Sequence, residues 1–282
     1  MENVKVTAQN FTPRVQQWLQ KPAEVTLLHL FDRVINLVDA EGEIISVVQA
    51  QIQSGPFSLV VEGERPFPHL ITPHAHISRT ATGLTIGPLE IEYRQAKLWQ
   101  PVPDWQQLRK RQDVWQDVLP EMETAVHAHL STLGSLGPAN FNAQFQAAMT
   151  GMQTVLFAAN SDEWRTAVTK LAGLGPGFTP AGDDFLLGFL FGLWATRPRE
   201  QVMDLAKIVV ETAVPRTTQL SAAWLQTAGR GEAHNTWHEL VKALLAKAKW
   251  QPPLQNILQT GATSGTAALL GFIAAAQNRQ SR

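Results

Sequence analysis

Two hydrophobic rhythms divide this sequence. From residue 25 to about 99, short apolar runs alternate with turn-forming residues, the pattern of β-strands. Runs at 25–31, 34–38 and 44–48 come first, and Glu41-Gly42 predicts a hairpin between the last two. Further strands are expected at 57–61, after Gly55-Pro56, and at 84–86 and 89–93 around Gly87-Pro88. Residues 64–79, punctuated by proline and histidine, read instead as an irregular surface connection.

Past Pro103 the period lengthens. Trp105, Leu108, Trp115, Val118, Leu119, Met122 and Val126 recur near helical spacing, with Asp104 placed to cap and Pro120 placed to bend or divide the segment. Gly134 and Gly137-Pro138 close it. Phe141, Phe145, Met149, Met152 and Leu156 mark another helix, and Ser161 is placed to cap a third through Trp164, Val168 and Leu171. Helical patterns continue at 200–213, 218–228, 235–250 and 264–277, with Pro252-Pro253 among the separators. Strands followed by helices favour an α+β fold over alternating βαβ units. The expected layout is a mainly antiparallel β domain at 1–102, barrel-like or a sandwich, and an all-helical domain at 103–282.

Composition restricts the partners. A net charge of −1 with 17% charged residues supplies no basic field for nucleic acid or an anionic membrane. The absence of cysteine excludes disulfides, thiolate metal sites and cysteine nucleophiles. The start lacks a signal-peptide pattern, so a cytoplasmic location is expected, and the most apolar run, residues 185–195, is too short to span a bilayer and is expected to be a core helix.

The densest chemistry lies at GLGPGFTPAGDD, residues 173–184, where four glycines and two prolines separate two helices. Alternating free and fixed φ values makes a rigid loop with exposed backbone, suited to a ligand's oxygens. Thr179-Pro180 reads as a helix start, so Gly173, Gly175, Gly177, Thr179 and Gly182 are candidate anion-binding positions. Asp183 and Asp184 would repel an anion unless a cation such as magnesium lay between them, which makes both candidate metal ligands and catalytic groups. The plainer reading is a tight turn with aspartates favouring the helix dipole. Behind the loop, residues 185–194 are apolar on every face, and Gly188 and Gly192 would admit another backbone.

Two further segments start predicted helices with similar residues. In one, Arg216 offers a bidentate anion contact and a catalytic charge beside Thr217, Thr218 and Ser221; in the other, Thr263, Ser264 and Gly265 offer hydroxyls and backbone. With the first loop they would form one anion site; singly, the hydroxyls are also plausible N-caps.

These segments, GLGPGFTPAGDDFLLG at 173–188, RTTQLS at 216–221 and GATSGTAALLGF at 261–272, resemble AllH-like proteins in sequence and order, as do RVINL at 33–37 and EGE at 41–43. The resemblance extends over about residues 28–276. It implies a subunit of oxamate carbamoyltransferase in anaerobic allantoin breakdown, converting oxalurate and phosphate to oxamate and carbamoyl phosphate. It also implies AllF-like partners, themselves similar to acyl-CoA synthetase subunits, and AllG-like partners. Ala262 and Ala267 stand where the family commonly has His and Asp, which removes two candidate groups for proton transfer. A noncatalytic ligand-binding or scaffolding subunit, and an independent magnesium-dependent enzyme handling phosphate, are the competing readings.

The histidines add little. His74 and His76 would share one side of an extended segment with His69 nearby, a zinc-compatible arrangement, whereas His127 and His129 diverge on a helix. His234 and His238 lack the glutamate of a metalloprotease motif and are expected to be solvated. The tryptophans fall on apolar stripes and read as packing residues.

Overall fold

Alternation at period two puts Ile35, Leu37, Ile45, Val47, Leu59 and Val61 on one buried face, which is the core of a single nine-stranded sheet. The computed structural model describes residues 3–21, 23–80, 82–133, 136, 139–156 and 160–277. The chain divides into two compact units, Met1–Pro101 and Val102–Arg282. In the first lie β1 (Val4–Phe11), α1 (Pro13–Gln20), β2 (Val25–Leu30), β3 (Val34–Asp39), β4 (Ile44–Gln49), β5 (Ser58–Val61), β6 (Ile77–Arg79), β7 (Gly83–Ile86), β8 (Leu89–Glu92) and β9 (Lys97–Leu98). Their order is β2-β3-β4-β5-β1-β8-β7-β6, with β9 also beside β1. Contact between β6 and β2 makes this a nearly closed, barrel-like sheet.

Antiparallel pairs predominate, as expected, but β1 runs parallel to β8 and β9, and β4 runs parallel to β5. The strand at Val4–Phe11 and the helix after it lie outside the expected elements, and β1 is the central one. Its neighbours are distant in sequence, so local turn signals do not reveal it. Thr12 caps α1 from Val15 N, Pro13 occupies the first turn, and Val15, Trp18 and Leu19 join the core. Arg79 stacks over the Trp18 ring at 4.5 Å and donates to the carbonyls of Trp18 and Ala23, where a cation favours a helix C-terminus. The connection expected to be irregular at 64–79 therefore ends in strand β6. The hairpin at Gly42 is formed, and Glu43 there pairs with Arg14 and Lys21, each at 2.7 Å.

The regular elements described in the second unit are all helical: α2 (Trp105–Lys110), α3 (Gln112–Trp115), α4 (Leu119–Leu133), α5 (Ala139–Val155), α6 (Ser161–Leu171), α7 (Ala181–Thr196), α8 (Arg199–Ala213), α9 (Gln219–Gly229), α10 (Asn235–Leu245), α11 (Gln251–Leu258) and α12 (Ser264–Ala276), with short 3-10 turns at Gln116–Val118 and Val214–Arg216. Asp104 caps α2 as expected. The break after it falls at Arg111 rather than Pro120, which sits in the first turn of α4 where its missing N–H costs nothing. Asn160, not Ser161, caps α6. Pro252 and Pro253 begin α11 instead of merely separating helices. The helix ends expected at Gly134 and Gly137-Pro138 lie outside the described residues.

At the centre, α7 and α12 are buried on all sides and lie against each other. A Cβ on Gly188 would strike the Ala268 carbonyl, one on Gly192 the Phe272 carbonyl at 2.5 Å, and one on Gly271 the Phe185 carbonyl. The two backbones are thus in direct contact. Paired positions rise together, Gly188 with Ala268 and Gly192 with Phe272, so the helices run in the same direction and begin side by side.

Gly188→Ala is expected to destabilise the protein by about 3 kcal/mol in denaturant unfolding, because backbone cannot yield as a side chain can. Gly151→Ala in α5, with open space around the added methyl, should instead stabilise by about 0.5–1 kcal/mol.

Candidate functional site

Because α7 and α12 start together, their N-termini bring the three polar segments into one place. Thr179 and Ser264 hydroxyls are 3.1 Å apart, Thr218 Oγ1 donates to the Phe178 carbonyl at 2.6 Å, and Thr217 Oγ1 donates to Asp183 Oδ2. The glycine loop, the start of α9 and the start of α12 therefore meet.

Asp183 is fully engaged in this junction. It also accepts from Gly173 N at 2.9 Å, and the Ser221 hydroxyl is close enough to favour its charged form. Burial pushes its carboxyl above the ordinary value, while the donors from Gly173, Thr217 and Ser221 oppose that rise. Gly173 can serve because its φ is +70° and because a Cβ there would strike the Arg216 carbonyl.

Asp184 is different. It is 8% exposed, and its Oδ2 has no hydrogen-bond partner. Burial pushes its pKa up to about 8, opposed by the neighbouring Ser264 and Thr179 hydroxyls and reinforced by the charge of Asp183. A carboxyl so placed is largely a neutral acid at pH 7.

Several expected contacts are already committed inside the protein. Gly182 N donates to Leu174 O at 2.8 Å and Gly265 N to Thr260 O at 3.0 Å, so with Gly173 N they are not free donors for an anion. Thr179 does not cap α7; Pro180 occupies that position, and Thr179 faces Ser264 instead. Thr218 does cap α9, through Ser221 N at 3.1 Å. Thr263 precedes α12 without a side-chain cap bond. Gly175 lies against Ala181 N and the Phe141 ring, whereas Gly177 faces open space. Arg216 is exposed, and its Nη1 donates to Thr212 O at 2.6 Å at the end of α8.

The magnesium reading of the Asp183–Asp184 pair fits this geometry poorly, since both Asp183 oxygens already accept hydrogen bonds, from Gly173 N and Thr217 Oγ1, and of the pair Asp184 keeps an uncommitted oxygen. Among the described residues, no group of three or more His, Asp or Glu converges as metal ligands, the expected set of His69, His74 and His76 included. His234 is half-buried and caps α10 through Thr236 N, rather than being merely solvated. No helix among the described residues is long and apolar enough to cross a membrane.

Family comparison agrees with the chain order of these segments. The model of the AllH family N-terminal domain matches residues 8–98, and that of oxamate carbamoyltransferase subunit AllH matches residues 171–276. This chain belongs to the AllH family. The second match contains the glycine loop, the Thr217–Ser221 segment and the start of α12, so the whole junction lies within the AllH region. No solved structure matches the chain. The AllH-like RVINL segment forms β3, and EGE closes its hairpin, so those residues support the sheet.

The raised pKa of Asp184 has a thermodynamic consequence. A group protonated more strongly when folded stabilises fully below its unfolded pKa, near 3.8, and that contribution is lost as pH rises to about 8. Thermal melts from pH 5 to 9 should show wild-type protein losing stability relative to Asp184→Asn, by up to about 1.4 kcal/mol per pH unit, with the difference levelling off above pH 8.

Proposed function

We propose that this chain is the AllH-type subunit of an oxamate carbamoyltransferase, and that the junction around Asp184 is its substrate site. The reaction is phosphorolysis of oxalurate in allantoin and purine catabolism, performed with AllF-like and AllG-like subunits. The observation that supports the reading is a buried carboxyl with an uncommitted oxygen, set among hydroxyls where the polar segments of the matched region meet.

A phosphate oxygen attacks the carbamoyl carbon of oxalurate, forming a C–O bond. The C–N bond to the oxamate nitrogen breaks, and that nitrogen needs a proton as it leaves. Neutral Asp184 supplies the proton and is reprotonated from solvent, which takes up the proton lost by the attacking hydrogen phosphate, so the products are oxamate and carbamoyl phosphate. Thr179 and Ser264 orient the carboxyl, while Asp183 holds the glycine loop and α9 in register with α7. Arg216 and the outer loop at Gly175 and Gly177 remain candidate contacts for the anionic ends of the substrates.

The competing reading is a ligand-holding subunit whose partners perform the chemistry. It draws on Ala262 being exposed and Ala267 being buried, where neither supplies a polar side chain. One assay separates the two. With the AllF-like and AllG-like subunits of the same genome, Asp184→Asn should lower carbamoyl phosphate formation by about 100-fold or more, as loss of a general acid does. Wild-type activity should fall as pH rises through about 8. A variant that turns over at the wild-type rate eliminates the acid role and leaves the ligand-holding reading.

A further inference from the structure

Resting on that reading of the site, the geometry goes further and specifies which end of a substrate Asp184 receives. We infer that the Asp184 carboxyl recognises a primary carboxamide or ureido group, a carbonyl bearing an unsubstituted amino group, and not a phosphate or carboxylate.

Charge is the first reason. The groups acting on Asp184 are Asp183 from its own helix, Thr179 from the glycine loop and Ser264 from α12. Of these the only charged one is Asp183, and it is an acid. An anion delivered to Oδ2 would meet a second negative charge in a dry setting, and none of these groups is a cation, so repulsion is poorly screened. Three backbone donors of the junction, at Gly173, Gly182 and Gly265, already have acceptors inside the protein.

Hydrogen-bond chemistry is the second. A neutral carboxylic acid presents one O–H donor and one carbonyl acceptor, side by side in one plane. A primary amide presents the complementary pair, a C=O acceptor and an N–H donor on the same edge. Two parallel hydrogen bonds then form, one of them at the orphaned oxygen, and no charge is buried. Because leaving a buried polar atom unpaired is costly, the contact gains selectivity from the empty-site penalty as well as from the bonds made. Oxamate carries such an amide edge, whereas oxalate, its near-isostere, replaces it with a second carboxylate.

The test is calorimetric titration of the full-length chain with oxamate, oxalate and inorganic phosphate, at pH 7 and pH 9. Wild-type protein should bind oxamate at least about tenfold more tightly than oxalate at pH 7, and lose about tenfold in oxamate affinity at pH 9 as the acid ionises. Asp184→Asn, which keeps one donor and one acceptor at every pH, should bind oxamate with equal affinity at both. Asp184→Leu should lose binding while still melting cooperatively.

Oxamate that fails to bind wild type, binds it no better than oxalate, or binds it equally at both pH values overturns the inference. So does inorganic phosphate that binds the wild-type chain in competition with oxamate and no longer binds Asp184→Leu. The turnover assay keeps the two proposals apart. If Asp184→Asn is inactive with partner subunits while oxamate binding ignores Asp184, the acid role survives and amide recognition fails. If turnover and binding are both indifferent to Asp184, both fail.

Discussion

Backbone-to-backbone contact between α7 and α12 is the constraint on which the helical unit depends. It is made possible by Gly188, Gly192 and Gly271, whose missing side chains leave room for the facing carbonyls. Dispersion and burial of flanking groups such as Phe185, Phe189, Leu269 and Phe272 hold the pair together, each large side chain contributing about 1.5–3 kcal/mol. Parallel packing at this distance has an electrostatic cost, because two positive helix ends lie side by side. That cost is offset where the helices begin, by ionisable carboxyls and hydroxyls instead of by apolar residues. The site is thus the polar end of the packing solution.

That origin explains why two adjacent aspartates differ so much. Successive residues on a helix project about 100° apart, so Asp183 and Asp184 face different surroundings although both are in the first turn of α7. Asp183 turns toward Gly173, Thr217 and Ser221 and becomes a clamp between segments distant in sequence. Asp184 turns toward Thr179 and Ser264, which are bonded to each other, and keeps an oxygen unsatisfied. A buried orphan oxygen is a standing penalty that evolution rarely leaves without use.

Much of this was legible in the sequence because the signals were local. The six apolar runs that read as strands all became strands, and the glycine-proline loop stood out as more elaborate than any turn requires. The Gly188–Gly192 spacing announced a close neighbour, and the three polar segments announced themselves at helix starts. What stayed hidden depends on tertiary partners. Strand β1 takes its place by pairing with residues 59–61 and 89–92, and α1 is held by Arg79, more than 50 residues away. The division of labour between Asp183 and Asp184 follows from helix phase plus the positions of Thr217 and Ser264, neither of which is adjacent in sequence.

The same logic revises what a glycine-rich loop at a helix start signifies. Such a loop reads as an anion cradle when its N–H groups are free. Here Gly173 N is drawn to Asp183 and Gly182 N to Leu174, so these two donors hold the loop's own shape. Rigidity is then the contribution of the loop's two ends, and recognition beside α7 passes to side chains that the rigid frame presents. A neutral acid framed by hydroxyls suits a substrate whose reacting bond lies between an amide nitrogen and a carbonyl. It can give a proton to that nitrogen while carrying no charge of its own in the resting site.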